Sequence, residues 1–395
     1  MNNALAILDS MPPPSVFYTR YWGRLPFVVR GAVPVSVMQG LIEADELAAL
    51  AGEDGVRSRL VNTPDEQSTW GCQFGPFDEE DFQTQPPEKW SLLVQNVEQY
   101  HPETAALLRC FDFSPRWLLD DIMVSYATPG GTVGPHMDSY HVFLVQGAGQ
   151  RQWTVANAPL SPEQEIYVDG LDLKVLRDDF VGDTVTVSCG DVIYIPPRFA
   201  HAGVTLESSL TYSVGFLGPK LSDLFMGYGQ YLSEFDALDQ PYGAASLGMD
   251  DTGFTVSSEA VQNFQTLLSG NVNGGHFAQW LTEFFAGSSN EDIADLGERD
   301  DILSVDTLRA HMETGRQLIK PAYVKLVIVG ATNGDFYVGY GGKAVRMDNS
   351  LSALVDCMCS EQAFGLSDIS EADISEPALS MLATLYNDQA LEWSL

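Results

Sequence analysis

Between residues 90 and 217 apolar and polar positions alternate with a period near two, in short runs broken by Gly- and Pro-containing turns. WSLLVQNV (90–97), LDDIMVSYAT (119–128), YHVFLVQ (140–146), RQWTVA (151–156), DTVTVS (183–188), DVIYIPP (191–197) and SLTYSVGF (209–216) each predict a strand. Short strands at this spacing with no helices between them point to a sandwich or jelly roll. HPETAALLRCF (101–111), rich in helix formers, predicts a helix early in this stretch.

The pattern differs on either side. Residues 1–90 form a lead-in of mixed character: YWGRLPFVVRGA predicts a short apolar strand ended by Gly31, and VSVMQGLIEADELAALAG an amphipathic helix. After Gly218 a helical period takes over in LSDLFMGYGQYLSEF, EAVQNFQTLLSG and HFAQWLTEFFAG, which suit a bundle. A last region reads as helix VDTLRAHMETG, strands YVKLVIVGAT and FYVGYGG joined at Asn333-Gly334-Asp335, strand KAVRM, and helices SALVDCMC and PALSMLATLYND. Asn-Gly between alternating strands signals a hairpin. The expected division is therefore 1–90 packed on the core, 91–217 as the jelly roll, 218–289 helical, and 290–395 resembling a winged helix.

Composition narrows the possibilities. The 395 residues are 45% hydrophobic, enough for two or three domains with real cores. No run approaches a membrane span, and the N-terminus lacks the basic and apolar regions of a signal peptide, so a cytoplasmic address is expected. Five scattered cysteines imply no disulfide framework. Cys357 and Cys359, in an apolar run without further ligands nearby, are expected as buried thiols of a helix.

Charge changes the reading of the last region. With 20 basic and 54 acidic residues the chain carries a net −34, and residues 286–395 hold 7 basic against 18 acidic. A winged helix commonly suggests nucleic acid, but this surface repels phosphate and instead attracts a basic partner. A structural or dimer-supporting role fits better, and the aromatic residues Phe225, Tyr228, Tyr231 and Phe235 offer material for an interface.

The candidate chemistry lies in PGGTVGPHMDSYHVFLVQGAGQRQW and CGDVIYIPPRFAHAGV. Residues two apart on a strand share a face, so His136 and Asp138 converge on one point. His201, on a later strand or its exit, follows a Gly-Asp-strand-Pro-Pro element and supplies a second imidazole. Two histidines and a carboxylate on one face leave open positions on an octahedral metal, the facial triad of non-haem Fe(II) oxygenases. His141 has the wrong parity to join them. His101, His276 and His311 lack paired ligands.

Such an oxygenase also holds 2-oxoglutarate, whose far carboxylate needs a cation. Arg151 shares parity with Trp153 and Val155 and is the best candidate, whereas Lys174 and Arg177 look more exposed. Ser125, on a face with Met123 and Ala127, can donate to the same carboxylate. Tyr126 and Thr128 replace it if the strand faces are reversed.

These two stretches resemble the bacterial JmjC-type, cupin-like ribosomal oxygenases, most sharply over 90–217 and in outline over most of the chain. The resemblance implies a mixed α and β fold with a double-stranded β-helix (jelly-roll) core, a helical dimerisation region and a winged-helix-like C-terminal domain. It implies Fe(II) on His136, Asp138 and His201, 2-oxoglutarate and O2 as co-substrates, Arg151 as the oxoglutarate anchor and Ser125 as a hydroxyl contact. It further implies a homodimer that hydroxylates the β-carbon of an arginine in a basic ribosomal protein, large-subunit protein L-sixteen, with arginine rather than lysine at 151 favouring that branch. Two alternatives stand beside this reading. One is a non-catalytic cupin-like module that binds a basic ribosomal protein, and the other an oxygenase acting on another protein or a small molecule.

Overall fold

The computed structural model describes residues 5–66, 68–235, 254, 256–272, 274–287, 299, 301–331, 334–360, 362–369 and 374–394. They fall into two compact units, Met1–Gly218 and Pro219–Leu395.

The first unit is built on twelve strands: β1 (Ala6–Leu8), β2 (Phe27–Val29), β3 (Ser58–Asn62), β4 (Gly71–Phe74), β5 (Trp90–Val94), β6 (Leu119–Ala127), β7 (His141–Ala148), β8 (Arg151–Ala156), β9 (Gly182–Val187), β10 (Val192–Ile195), β11 (His201–Thr205) and β12 (Ser209–Phe216). Nine of them form one sheet in the order β1-β2-β10-β7-β12-β6-β5-β3-β4, and the other three form a second sheet, β11-β8-β9. From β7 onward the chain switches between the sheets, with β7, β10 and β12 in the large one and β8, β9 and β11 in the small one. That winding is what the period-two runs led us to expect.

Alternation along β7 shows how the layers assemble. Val142 and Leu144 face the small sheet and pack with Trp153, Val155, Val185, Ile193 and Phe199. Phe143 and Val145 face the other way, into a larger core with Phe17, Tyr21, Leu47, Leu107 and Phe111. The large sheet is thus buried on both faces, which is why HVFLV reads as one apolar run. Its outer face is covered by short helices: α1 (Pro14–Val16), α2 (Val35–Met38), α3 (Ala44–Leu50), α4 (Glu79–Gln83) and α5 (Pro102–Ala105). The amphipathic stretch 35–52 is therefore two helices, α2 and α3, broken around Gly40. Of YWGRLPFVVRGA only Phe27–Val29 is strand; Tyr21 ends a π-helical turn, Phe17–Tyr21. The strands of the N-terminal 90 residues join the same sheet as those that follow.

In the second unit, α6 (Leu221–Ser233), α7 (Ser258–Val272) and α8 (His276–Ala286) precede α9 (Val305–Glu313), α10 (Ser352–Cys359) and α11 (Glu376–Asn387). Strands β14 (Val327–Gly330), β15 (Phe336–Tyr340) and β16 (Lys343–Met347) make an antiparallel sheet, and β13 (Leu318–Ile319) pairs with β17 (Glu392–Trp393). Asn333 lies outside the described residues; Gly334 takes φ +84°, as a hairpin loop requires. α8 lies directly on β15: a Cβ at Gly339 would come within 2.6 Å of Thr282 Cγ2 and 2.8 Å of Ala286 Cβ. Leu308, Val338, Leu354, Met358, Leu379 and Leu382 form the core beside it.

The expectation for the paired cysteines is corrected. Both lie on α10 as foreseen, but its buried face is Leu354, Val355 and Met358. Cys357 is half-buried and Cys359, at the helix end, is exposed. Among the described residues no helix is long and apolar enough to cross a membrane.

Candidate metal and co-substrate site

His136 and Asp138 sit in the segment between β6 and β7, outside any regular strand, so the strand parity that paired them in the sequence is corrected. A single antiparallel bridge does the work. His136 N donates to His201 O at 3.0 Å and His201 N donates to His136 O at 2.9 Å, joining this segment to the start of β11. Asp138 is fixed by its carbonyl, which accepts from Arg198 N at 2.8 Å.

The bridge brings one ligand atom from each of His136, Asp138 and His201 within 4.8 Å of one another. His201 Nε2 lies 3.5 Å from Asp138 Oδ2. Each imidazole is oriented through its other nitrogen, His136 Nδ1 to Gly134 O at 2.9 Å and His201 Nδ1 to Phe199 O at 3.0 Å. A carbonyl only accepts, so the proton lies on Nδ1 and both Nε2 lone pairs are free for a metal. Burial, with His136 alongside, pushes His201 down to about 4, so it is neutral at physiological pH. Two imidazoles presenting Nε2 and a carboxylate suit a divalent cation with open positions. Among the described residues this is the one such cluster of His, Cys, Asp and Glu.

The three residues open on a cavity of about 290 Å³ that Arg151, Ser125, Thr211, Ser213 and Trp153 also line. Arg151 is 3% exposed. Its Nη1 donates to Ser125 Oγ at 3.3 Å and Thr211 Oγ1 at 3.4 Å, and its Nη2 to Gly203 O at 3.3 Å. Among the described residues no carboxylate pairs with it. Burial lowers its pKa to about 10, which still leaves it charged at neutral pH. A buried cation held only by long bonds to neutral oxygens is poised for an anion.

Ser125 lies where its parity with Met123 placed it. The alternates face elsewhere: Tyr126 packs on Trp90 at 5.6 Å, and Thr128 bonds the Trp90 backbone. His141 points away, stacked 3.5 Å from Trp22 and bonded to the Tyr194 hydroxyl at 2.8 Å. His101 accepts from Thr104 N at 3.1 Å at the start of α5, His276 packs on Phe235, and His311 packs on Trp393. Arg177 pairs with Asp178. Lys174 is exposed yet belongs to the cavity rim.

Sequence reasoning missed Thr211, although a signal existed. Ser209, Thr211 and Ser213 alternate with Leu210, Tyr212 and Val214, and every one of them is buried. A buried polar stripe on a strand means a polar interior. Sequence reasoning expected an acidic mouth but did not place the residues there, where Asp172 and Tyr140 line the cavity beside Arg59 and Lys174. Burial, then Asp138, Asp121 and Asp120, hold the Tyr140 hydroxyl well above the usual phenol range.

The family model for the JmjC domain matches residues 106–224, the stretch that carries this site. Ribosomal protein uL16 3-hydroxylase of Escherichia coli (strain K12) is 30% identical over 375 residues, covering 94% of this chain and 95% of that one. The chain belongs to the JmjC-domain ribosomal oxygenases. A second member, the probable ribosomal oxygenase of Haemophilus influenzae, is 41% identical over 251 residues, 59% of this chain and 60% of its own. Among solved structures, the ribosomal oxygenase YcfD from Escherichia coli in complex with cobalt and 2-oxoglutarate matches with a TM-score of 0.80 and 28% identity, covering 98% of this chain and 99% of that one.

Proposed function

We propose that this ribosomal oxygenase is an Fe(II)- and 2-oxoglutarate-dependent dioxygenase that hydroxylates the β-carbon of an arginine in large-subunit ribosomal protein uL16. The observation that carries this reading is the buried, uncompensated Arg151 in the same cavity as His136, Asp138 and His201. The triad accounts for a metal, and the Arg151 cation in the same cavity accounts for a dianionic co-substrate. The cobalt and 2-oxoglutarate complex of YcfD supports the same pairing.

Each residue has a defined task. His136, Asp138 and His201 hold Fe(II) on one face. When bound there with 2-oxoglutarate and O2, the ferrous ion supplies oxidative decarboxylation to succinate and CO2, coupled to oxygen insertion into an unactivated C–H bond. Arg151 receives the far carboxylate of the co-substrate, with Ser125 and Thr211 keeping its Nη1 in place. Trp153, Leu144 and Val142 give the cavity an apolar wall that disfavours water beside the reacting end. At the mouth Asp172 and Tyr140 receive the substrate guanidinium, and the acidic surface steers a basic ribosomal protein.

Beyond the site, residues 218–289 are proposed as a dimerisation region. Leu221, Phe225 and Met226 on α6 and Leu267 and Leu268 on α7 are exposed, an apolar surface that suits a second copy. The β14-β15-β16 sheet with α9, α10 and α11 is proposed as a winged-helix-like domain that binds no nucleic acid, consistent with its acidic balance. The working compartment is the cytoplasm.

Incubating uL16 with the protein, iron, 2-oxoglutarate and oxygen tests the proposal. Succinate is expected in step with the mass of one oxygen atom on one arginine. Turnover on a different residue would move the substrate assignment, and no turnover on any basic ribosomal protein would defeat it.

A further inference from the structure

We infer that Trp153 and Gly203 act together as positioning residues for Arg151, and so set how tightly the cavity holds its dicarboxylate co-substrate. The inference rests on the functional reading above and adds two residues to it. Gly203 on β11 lies opposite Trp153 on β8, and Thr205 lies opposite Arg151. Gly203 also shares a strand face with His201, two residues away, so one strand carries both ends of the site.

The Arg151 guanidinium lies over the Trp153 ring, 4.7 Å from its centroid. A Cβ built on Gly203 would fall 2.7 Å from Arg151 Nε and 2.8 Å from the Trp153 ring carbons. The guanidinium is therefore held between an aromatic face and a strand backbone that has room for it only because residue 203 lacks a side chain. The Gly203 carbonyl completes the clamp by accepting from Nη2 at 3.3 Å.

This clamp matters because among the described residues nothing else holds the cation firmly. Its hydroxyl partners are at 3.3 and 3.4 Å, and its buried Nε has no hydrogen-bond partner among them. At a buried site the quadrupole of an indole stabilises a cation more than it does at a surface. The bland alternative is that Trp153 merely fills space among Val155, Val185 and Ile193. In that case its loss lowers thermal stability and leaves co-substrate affinity alone.

The two roles separate in a binding experiment on the full chain with Mn(II) in place of iron and without oxygen. Calorimetric titration with 2-oxoglutarate gives the dissociation constant, and titration with Mn(II) alone serves as the control for an intact fold. Trp153→Leu, which fills space without a π face, should weaken 2-oxoglutarate binding about tenfold, and Trp153→Phe by no more than about threefold. Gly203→Ala should weaken it at least as much as Trp153→Leu. Mn(II) affinity should hold in all three.

Equal 2-oxoglutarate affinity in Trp153→Leu and wild type, or equal losses in Trp153→Leu and Trp153→Phe, would overturn the inference. So would losses that simply track lost Mn(II) binding. Failure of the wild-type chain to bind 2-oxoglutarate would instead overturn the functional reading, and this inference with it.

Discussion

At the scale of single residues, Arg151 separates folding from binding. A buried guanidinium without a carboxylate partner costs the empty protein, and an apolar residue of similar length removes that cost. Arg151→Met is expected to leave the melting temperature unchanged or raise it, while weakening 2-oxoglutarate by about 30-fold or more, the penalty of leaving a buried carboxylate unpaired. Differential scanning fluorimetry with and without the co-substrate reads both effects, and a destabilised empty variant that still binds would contradict them. Arg151 was legible because strand alternation put it beside Trp153 and Val155. Thr211 was overlooked among its neighbours, and Gly203, having no side chain to notice, shows its importance only as the space Arg151 occupies.

At the scale of elements, the turn Val97–Gln99 is tied to β6 by the buried Glu98, whose Oε2 accepts from Ile122 N at 2.8 Å. Burial raises its pKa to about 7, and Asp121 beside it is shifted in the same direction. The folded state therefore binds protons more tightly than the unfolded chain, so this contribution to stability is fullest below the unfolded value near 4.5 and is lost as pH rises through about 7. Glu98→Gln should flatten that loss, seen as a smaller fall in the urea midpoint between pH 5 and pH 8. An unchanged pH dependence would show that Glu98 is not the titrating group.

Elements also explain what could be read in advance and what could not. The long strands were legible, because apolar residues recur along one face of most runs and, in HVFLV of β7, on both. β13 and β17, two residues each, leave no periodic trace. The H-x-D pair was found for a partly mistaken reason: its convergence comes from one bridge to His201 and not from a strand. Close packing of α8 on β15 was equally hidden, since it depends on the missing side chain of Gly339. Gly339→Ala should cost about 1–3 kcal/mol in chemical denaturation. Metal affinity at His136, Asp138 and His201 should not change, as those residues belong to the other compact unit.

At the scale of the whole molecule, a net charge of −34 dominates any encounter. Association with a basic ribosomal protein should be fast at low ionic strength and slow by about tenfold or more in high salt, with dissociation changing far less. Stopped-flow mixing at several salt concentrations measures this, and a salt-independent rate would argue against electrostatic steering. The same balance weighed against nucleic acid in the sequence of the last region, where the pattern of helices and a hairpin alone suggested it.

The most direct test of the iron, co-substrate and substrate assignment together is the intact mass of uL16 after incubation with the wild-type enzyme or with His136→Ala, each with Fe(II), 2-oxoglutarate and O2. The wild type should add one oxygen atom to one arginine with matching succinate, and His136→Ala should add none while remaining folded. An unmodified uL16 with the wild type, or the same mass gain with His136→Ala, would contradict it.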